Sequence, residues 1–342
     1  MQQQSFMAQE IAAAPEVVAR QAKVMASPLN RLVARLLAHP PQLVVTCARG
    51  SSAHAATFGK HLIERYLQLP VAAAAPSIVS VYGGELRLAH QLVLLISQSG
   101  KSDDLIAFAS SARAAGAVTA AVTNDPDAPL AAACEFVLPI GAGPELSVAA
   151  TKTFVATAAA LLRLVAAWAR LDPLAAAIGR LPHRLAAAAQ LDWRQSLEPV
   201  AGASSLVTIG RGPTLAIARE AALKLKETCN LHAEAFSAAE FLHGPVALVA
   251  PRYPVLLFMP TDAAADGMHP FAARLRDAGC VLFAAEPGAA HSGRLPALAA
   301  DWPECDAVCL IQSFYPMIVA LADRLGTDID RPRHLNKVTR TL

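Results

Sequence analysis

Residues 44–53 read VVTCARGSSA, and residues 206–215 read LVTIGRGPTL. Arg49–Gly50 recurs as Arg211–Gly212, 162 positions on, and VLLIS (93–97) recurs as VLLFM (255–259) at the same spacing. Farther along, ARAAGAV (112–118) resembles RLRDAGCV (274–281), one residue out of step. An offset held over several elements points to a duplicated domain. In each copy a short apolar run precedes a polar turn and an alanine-rich helical stretch, the alternation of parallel sheets covered by helices. The strands expected in the first copy are LVVTC (43–47), LVLLIS (92–97), VTAAVT (118–123) and EFVLPI (135–140). Those in the second are SLVTIG (205–210), VLLFM (255–259), CVLFAA (280–285) and AVCLIQ (307–312). The join falls near 172–195, where LDPLAAAIGRLPHRL carries two prolines and a glycine.

Duplication allows an internal comparison. Directly after the apolar run VLLI, residues 97–104 read SQSGKSDD, whereas the counterpart at 259–266 reads MPTDAAAD. The serines, glutamine and glycine are all missing from the second copy, so the turn itself does not demand them. In open parallel sheets ligands gather beyond the carboxyl ends of strands, where helix N-termini favour an anion. Ser97, Ser99 and Ser102 can donate hydroxyl hydrogens, Gln98 can donate its amide, and Gly100 lets a backbone approach closely. Asp103 and Asp104 would have to point away from any bound anion. The competing reading is Ser102 as an ordinary helix cap among turn serines. ARGSS (48–52) follows its strand in the same way and offers Ser51 and Ser52. ELSVAATKTF (145–154) brings Thr151 and Lys152 before a long helix.

Composition narrows the classes. The chain has 342 residues, enough for two domains, with net charge +2 and 16% charged residues. No basic run interleaved with aromatics suggests nucleic acid. The most apolar window considered, 154–170, is interrupted by Arg163 and is largely alanine, so no membrane-spanning helix is expected. MQQQSFMAQEIAAAP does not read as a signal peptide. Six cysteines at 47, 134, 229, 280, 305 and 309 form no metal-type pairs, so no metal is expected and a reducing compartment is.

Residues 220–245 read EAALKLKETCNLHAEAFSAAEFLHGP, and Glu220, Lys224 and Glu227 share one helix face. On an isolated helix this would be a solvated ion pair. Here the helix follows GRGPT, at the functional end of the second sheet, where a lysine between two carboxylates can keep one ionised as a base. His232 and His243 are the nearby imidazoles, the latter in the turn-like LHGP. There is neither a GxSxG nucleophile elbow nor a metal-ligand motif.

Together these stretches resemble the sugar isomerase (SIS) family, in particular the isomerase half of glutamine–fructose-6-phosphate aminotransferases and the stand-alone SIS-type glucosamine-6-phosphate deaminases. The resemblance runs from FMAQEIAAAPEVVARQ (6–21) through ARGSS, SQSGKSDD and ELSVAATKTF to the block 210–245 and the tail DRPRHLNKVTRTL (330–342). It implies an α/β fold with two tandem SIS domains, each a three-layer αβα sandwich on a parallel, doubly wound, flavodoxin-like sheet. The boundaries that follow are an N-terminal helical segment at 1–30, domains at 31–172 and 195–328, and a closing tail at 329–342.

By the resemblance, Ser51, Ser52, Ser97, Gln98, Ser99 and Ser102 would hold a hexose 6-phosphate, with Val148 and Thr151 in the third ligand loop. Glu227 would move a proton between sugar C1 and C2, supported by Lys224 and Glu220. His243 would open the ring of the neighbouring subunit's substrate in a homodimer with shared sites, and Lys337 would close over the sugar. Departures are Lys101 for a glutamate, Ala150 for a serine, a divergent NKVTRTL ending, and the missing amidotransferase domain with its catalytic cysteine. A free-standing isomerase half suggests the reverse chemistry, a cytoplasmic, cofactor-free deaminase that turns glucosamine 6-phosphate into fructose 6-phosphate and ammonia. Rivals are a fructosamine-6-phosphate deglycase, another hexose-phosphate isomerase, and a non-catalytic sugar-phosphate sensor.

Overall fold

The computed structural model describes residues 4–288 and 291–337. The first part of the chain runs α1 (Phe6–Ala38), β1 (Val44–Ala48), α2 (Gly50–Leu67), β2 (Val71–Ala73), α3 (Ser77–Ser80), β3 (Leu92–Ser97), α4 (Asp103–Ala114), β4 (Val118–Thr123), α5 (Pro129–Ala133), β5 (Phe136–Pro139), α6 (Lys152–Trp168) and α7 (Asp172–Ala188). The second part runs α8 (Leu197–Ala201), β6 (Ser205–Gly210), α9 (Thr214–Cys229), β7 (His232–Ser237), α10 (Ala238–Phe241), β8 (Pro254–Phe258), α11 (Ala265–Asp277), β9 (Val281–Pro287), β10 (Arg294–Ala297) and α12 (Pro303–Leu325).

Two five-stranded sheets result, ordered β2-β1-β3-β4-β5 and β10-β9-β8-β6-β7. Every strand pair is parallel. Counted from its own first strand, each sheet has the order 2-1-3-4-5. The repeat extends to register. Val45, Thr46 and Cys47 pair with Val93, Leu94 and Leu95, and the residues 162 positions on, Val207, Thr208 and Ile209, pair with Val255, Leu256 and Leu257. The next pairing moves by one, Leu92 with Val118 but Pro254 with Val281, which is the one-residue step seen between ARAAGAV and RLRDAGCV.

All six residues of β3 and of β4 are buried, so side chains on both faces of these strands are covered. On one face Val45, Cys47, Val93 and Leu95 meet Leu105, Phe108 and Ala109 of α4 and Leu130 of α5. In the second sheet Val207, Ile209, Val255 and Leu257 meet Phe241 of α10 and Met268, Phe271 and Leu275 of α11. Each fully buried large side chain in these layers contributes about 1.5–3 kcal/mol.

By internal contacts the chain divides into two compact units. The one carrying the first sheet comprises Glu16–Pro144, Lys152–Gly179 and Asn336–Leu342, and the one carrying the second comprises Met1–Pro15, Glu145–Thr151 and Arg180–Leu335.

Two expectations are corrected. AVCLIQ (307–312) is helical, inside α12, rather than a strand. A short apolar run does not distinguish a strand from a buried helix. Pro303 at the first turn, Glu304 and Asp306 beside it, and left-handed Gly326 (φ 68°) at the end delimit the helix. The last β-strand is the short β10, and the short β2 and the six-residue β7 are likewise strands that the sequence reading does not include. Among the described residues α12 is also long and apolar enough to cross a membrane by length and composition, with mean hydropathy 1.6. Yet 83% of that window is buried in the protein, as expected of a core helix.

Candidate functional site

In the first sheet the chain passes from β1 outward to β2 and from β3 outward to β4, so the connections leaving these adjacent strands diverge beyond their carboxyl ends. The ARGSS and SQSGKS loops leave at that point. Arg49 is the N-cap of α2 and Ser102 that of α4, and neither makes a side-chain cap hydrogen bond. The reading of Ser102 as an ordinary helix cap therefore fails, and both helix N-termini present backbone N–H groups of the kind that bind anions.

Ser97 is buried, and Ser51, Ser52, Gln98, Ser99 and Ser102 are half-buried. The Ser97 and Ser99 hydroxyl oxygens accept from the N–H groups of Gly100 (3.2 Å) and Lys101 (3.3 Å), so these two serines also shape the turn. Gly100 has φ +63°, and a Cβ there would stand 2.5 Å from the Ala128 Cβ, so the turn admits no side chain. Lys101 is exposed.

The equivalent point of the second sheet is closed. Thr214, which stands where the first copy has Ser52, accepts from the Arg211 N–H (3.0 Å) and donates to the Phe258 carbonyl (2.8 Å). A Cβ on Gly210 would lie 2.2 Å from the Thr214 carbonyl oxygen, so the turn is drawn tight. What this unit carries instead lies along α9.

Glu220 and Lys224 are fully buried, whereas the Glu227 side chain is 21% exposed. The Lys224 Nζ lies 3.2 Å from Glu220 Oε1 and donates to Glu227 Oε2 at 2.5 Å. The solvated pair of an isolated helix is thus not what forms. Burial alone would depress the Lys224 ammonium, but Glu220 and Glu227 outweigh it and hold the group charged, above the ordinary lysine value. Of the three, Glu227 is the one that opens toward solvent.

Sequence reasoning missed a neighbour. Tyr315, on α12, is fully buried, its hydroxyl has no hydrogen-bond partner among the described residues, and α12 packs against α9. Burial, then Glu220, Glu145 and Glu227, push its phenol well above the usual range. A single tyrosine in the apolar stretch SFYPM carries no sequence signal for this placement.

The third loop, as far as Thr151, belongs to the same unit, and Lys152 begins α6 in the first-sheet unit. The Thr151 N–H donates to Glu145 Oε1 (3.1 Å), the Leu146 N–H to Glu10, and the half-buried Val148 N–H to the Asp330 carbonyl (3.1 Å). The Asp330 carboxylate accepts from the Phe6 and Met7 N–H groups at 2.7 and 2.9 Å, capping α1. Beyond α12 the chain is tied to the end of α9: Thr327 Oγ1 donates to the Thr228 carbonyl (2.6 Å) and Arg333 Nε to Asn230 Oδ1 (3.0 Å). Lys337 is half-buried and groups with the first-sheet unit. His232 is exposed at the start of β7. His243 is exposed beyond α10, before Gly244 (φ +146°), and its ring makes no hydrogen bond among the described residues.

The model of the SIS domain family matches residues 36–167 and 200–276. The chain is 31% identical to the glutamine–fructose-6-phosphate aminotransferase (isomerizing) of Zymomonas mobilis, over 97% of this chain and 58% of that protein. The chain thus spans little more than half the length of that relative. Among solved structures, a candidate phosphosugar isomerase from Silicibacter pomeroyi is 44% identical with TM-score 0.91, covering 96% of this chain and 100% of that one. A glucosamine-6-phosphate deaminase from Thermotoga maritima shares the fold at TM-score 0.78 and 18% identity, over 98% and 100% of the two chains.

Proposed function

This chain belongs to the SIS domain family, and we propose that within it the protein is an aminosugar-phosphate deaminase converting glucosamine 6-phosphate to fructose 6-phosphate and ammonia. The observation that carries this reading is the α9 set, in which a buried Lys224 bridges a buried Glu220 and a Glu227 that meets solvent. A solvent-reaching carboxylate positioned by a fixed ammonium suits a general base for a carbon acid.

The hydroxyl loops of Ser51, Ser52, Ser97, Gln98, Ser99 and Ser102, with the N-termini of α2 and α4, take the 6-phosphate. Glu227 removes the C2 proton of the open-chain aldehyde and returns it to C1, while the C1 oxygen takes up a proton and the C2 amine gives one up, leaving a C1 alcohol and an imine at C2. Water adds to that carbon and ammonia departs, giving the ketose. Lys224 fixes the Glu227 carboxylate in place by its hydrogen bond to Oε2 and Glu220 balances the buried ammonium, while Val148 and Thr151 border the sugar and Lys337 closes over it. The exposed ring of His243 fits a role in ring opening on a second copy, so the reading carries a cytoplasmic homodimer with shared sites.

The test is a substrate panel followed by ammonia and fructose 6-phosphate release. Stoichiometric release of both from glucosamine 6-phosphate supports the reading. Faster release of amino acid from fructosamine 6-phosphates replaces it with a deglycase, isomerisation without ammonia replaces it with an aldose–ketose isomerase, and binding without turnover leaves a sensor.

A further inference from the structure

We propose that the Arg49–Asp104 ion pair is a strut that holds the two hydroxyl loops of the first sheet at the separation a phosphate monoester requires. The inference rests on the phosphate role proposed above for those loops. Arg49 ends the β1 connection and Asp104 lies in the first turn of α4, so the pair spans the point where the chain diverges beyond adjacent strands. Arg49 Nε and Nη2 both donate to Asp104 Oδ2, at 3.0 and 2.8 Å, while Oδ1 accepts from the Leu105 N–H at 2.9 Å. The Asp104 side chain is fully buried and the Arg49 side chain is 53% exposed. A planar guanidinium gripping a fixed oxygen through two N–H groups sets both distance and orientation. It also neutralises a carboxylate that would otherwise oppose an anion next to the loop, which answers the requirement that Asp104 point away.

The second copy supplies the contrast. Arg211 and Asp266 stand 162 positions on, both exposed, and among the described residues they form no ion pair with each other. There the loops are joined by the short Thr214 hydroxyl, 2.8 Å from the Phe258 carbonyl. One scaffold thus carries two devices. A threonine tie closes the second crevice, and a long arginine strut spans the first, where the serines are.

The experiment compares wild type with Arg49→Met, Asp104→Asn, Arg49→Lys and the Arg49→Met/Asp104→Asn double variant. Calorimetric titration uses fructose 6-phosphate and, separately, inorganic phosphate, alongside melting temperature and steady-state kinetics on glucosamine 6-phosphate. Every variant is expected to bind fructose 6-phosphate about ten-fold more weakly or worse, with KM raised and kcat within about two-fold of wild type. Arg49→Lys, which keeps the charge but not the fork, does not rescue binding. The double variant, which leaves no lone buried charge, regains stability without regaining affinity. Wild-type affinity in the double variant would overturn the proposal, because Arg49 would then serve only to neutralise Asp104. Tighter binding by Asp104→Asn would overturn it in favour of direct anion contact by Arg49. Melting temperatures that fall while affinities stay put would reduce the pair to a structural one. If wild type binds neither ligand, the phosphate reading falls and the strut with it; if wild type binds and the variants match it, only the strut falls.

Discussion

The Lys224 ammonium lies 2.5 Å from Glu227 Oε2, and the two differ in access: the lysine is fully buried, while a fifth of the glutamate side chain meets solvent. That asymmetry fits the roles proposed for them. The buried partner can fix charge but cannot reach a substrate, and the partly open partner can do both.

Replacing Glu227 with Gln keeps the shape and removes the base. Turnover is expected to fall by about 10²–10⁴-fold, with the dissociation constant for fructose 6-phosphate nearly unchanged. Loss of binding in parallel with turnover would place Glu227 among the groups that hold the sugar instead.

Lys224→Met takes the ammonium away from a fully buried carboxylate, and breaking such a pair costs about 3–5 kcal/mol. The pH dependence has a definite sign. Because the folded-state lysine is raised above its unfolded value, its contribution is complete below the ordinary lysine pKa of about 10.4 and fades as pH rises through the higher folded value. Denaturant titrations should therefore show a wild-type decline above about pH 10 that Lys224→Met lacks. A matching alkaline slope in the variant would count against this pairing.

Ser102→Ala separates capping from binding. Loss of a capping hydroxyl typically costs about 1 kcal/mol, but the Ser102 side chain caps nothing. Melting temperature should stay level while affinity for sugar 6-phosphates drops. A fall in stability with intact affinity would restore the ordinary-cap reading.

Tyr315→Phe removes a buried hydroxyl that has no hydrogen-bond partner among the described residues. An unsatisfied buried polar group costs about 1–3 kcal/mol, so the variant should gain stability of order 1 kcal/mol in urea unfolding. Destabilisation would mean that the hydroxyl bonds a group within the core.

Sequence by itself determined more of the fold than of the site. The spacing that relates Arg49–Gly50 to Arg211–Gly212 foretold the duplication, and strand register follows it at Val45–Val93 and Val207–Val255, because one slipped residue would move every side chain to the opposite face of the sheet, against the other layer of helices. The contrast between SQSGKSDD and MPTDAAAD foretold which copy carries the hydroxyl loops. AVCLIQ misled because apolarity is shared by buried strands and buried helices, and only the length and ends of α12 decide between them. Tertiary structure alone decided the state of Lys224, since an i,i+4 spacing is the same whether water or α12 covers it. It also singled out Glu227 for exposure, brought Tyr315 beside three carboxylates, and joined Arg49 to Asp104 across 55 positions of chain. Periodicity is written locally along a chain, but burial and the electrostatics that depend on it exist only once distant segments exclude water from one another.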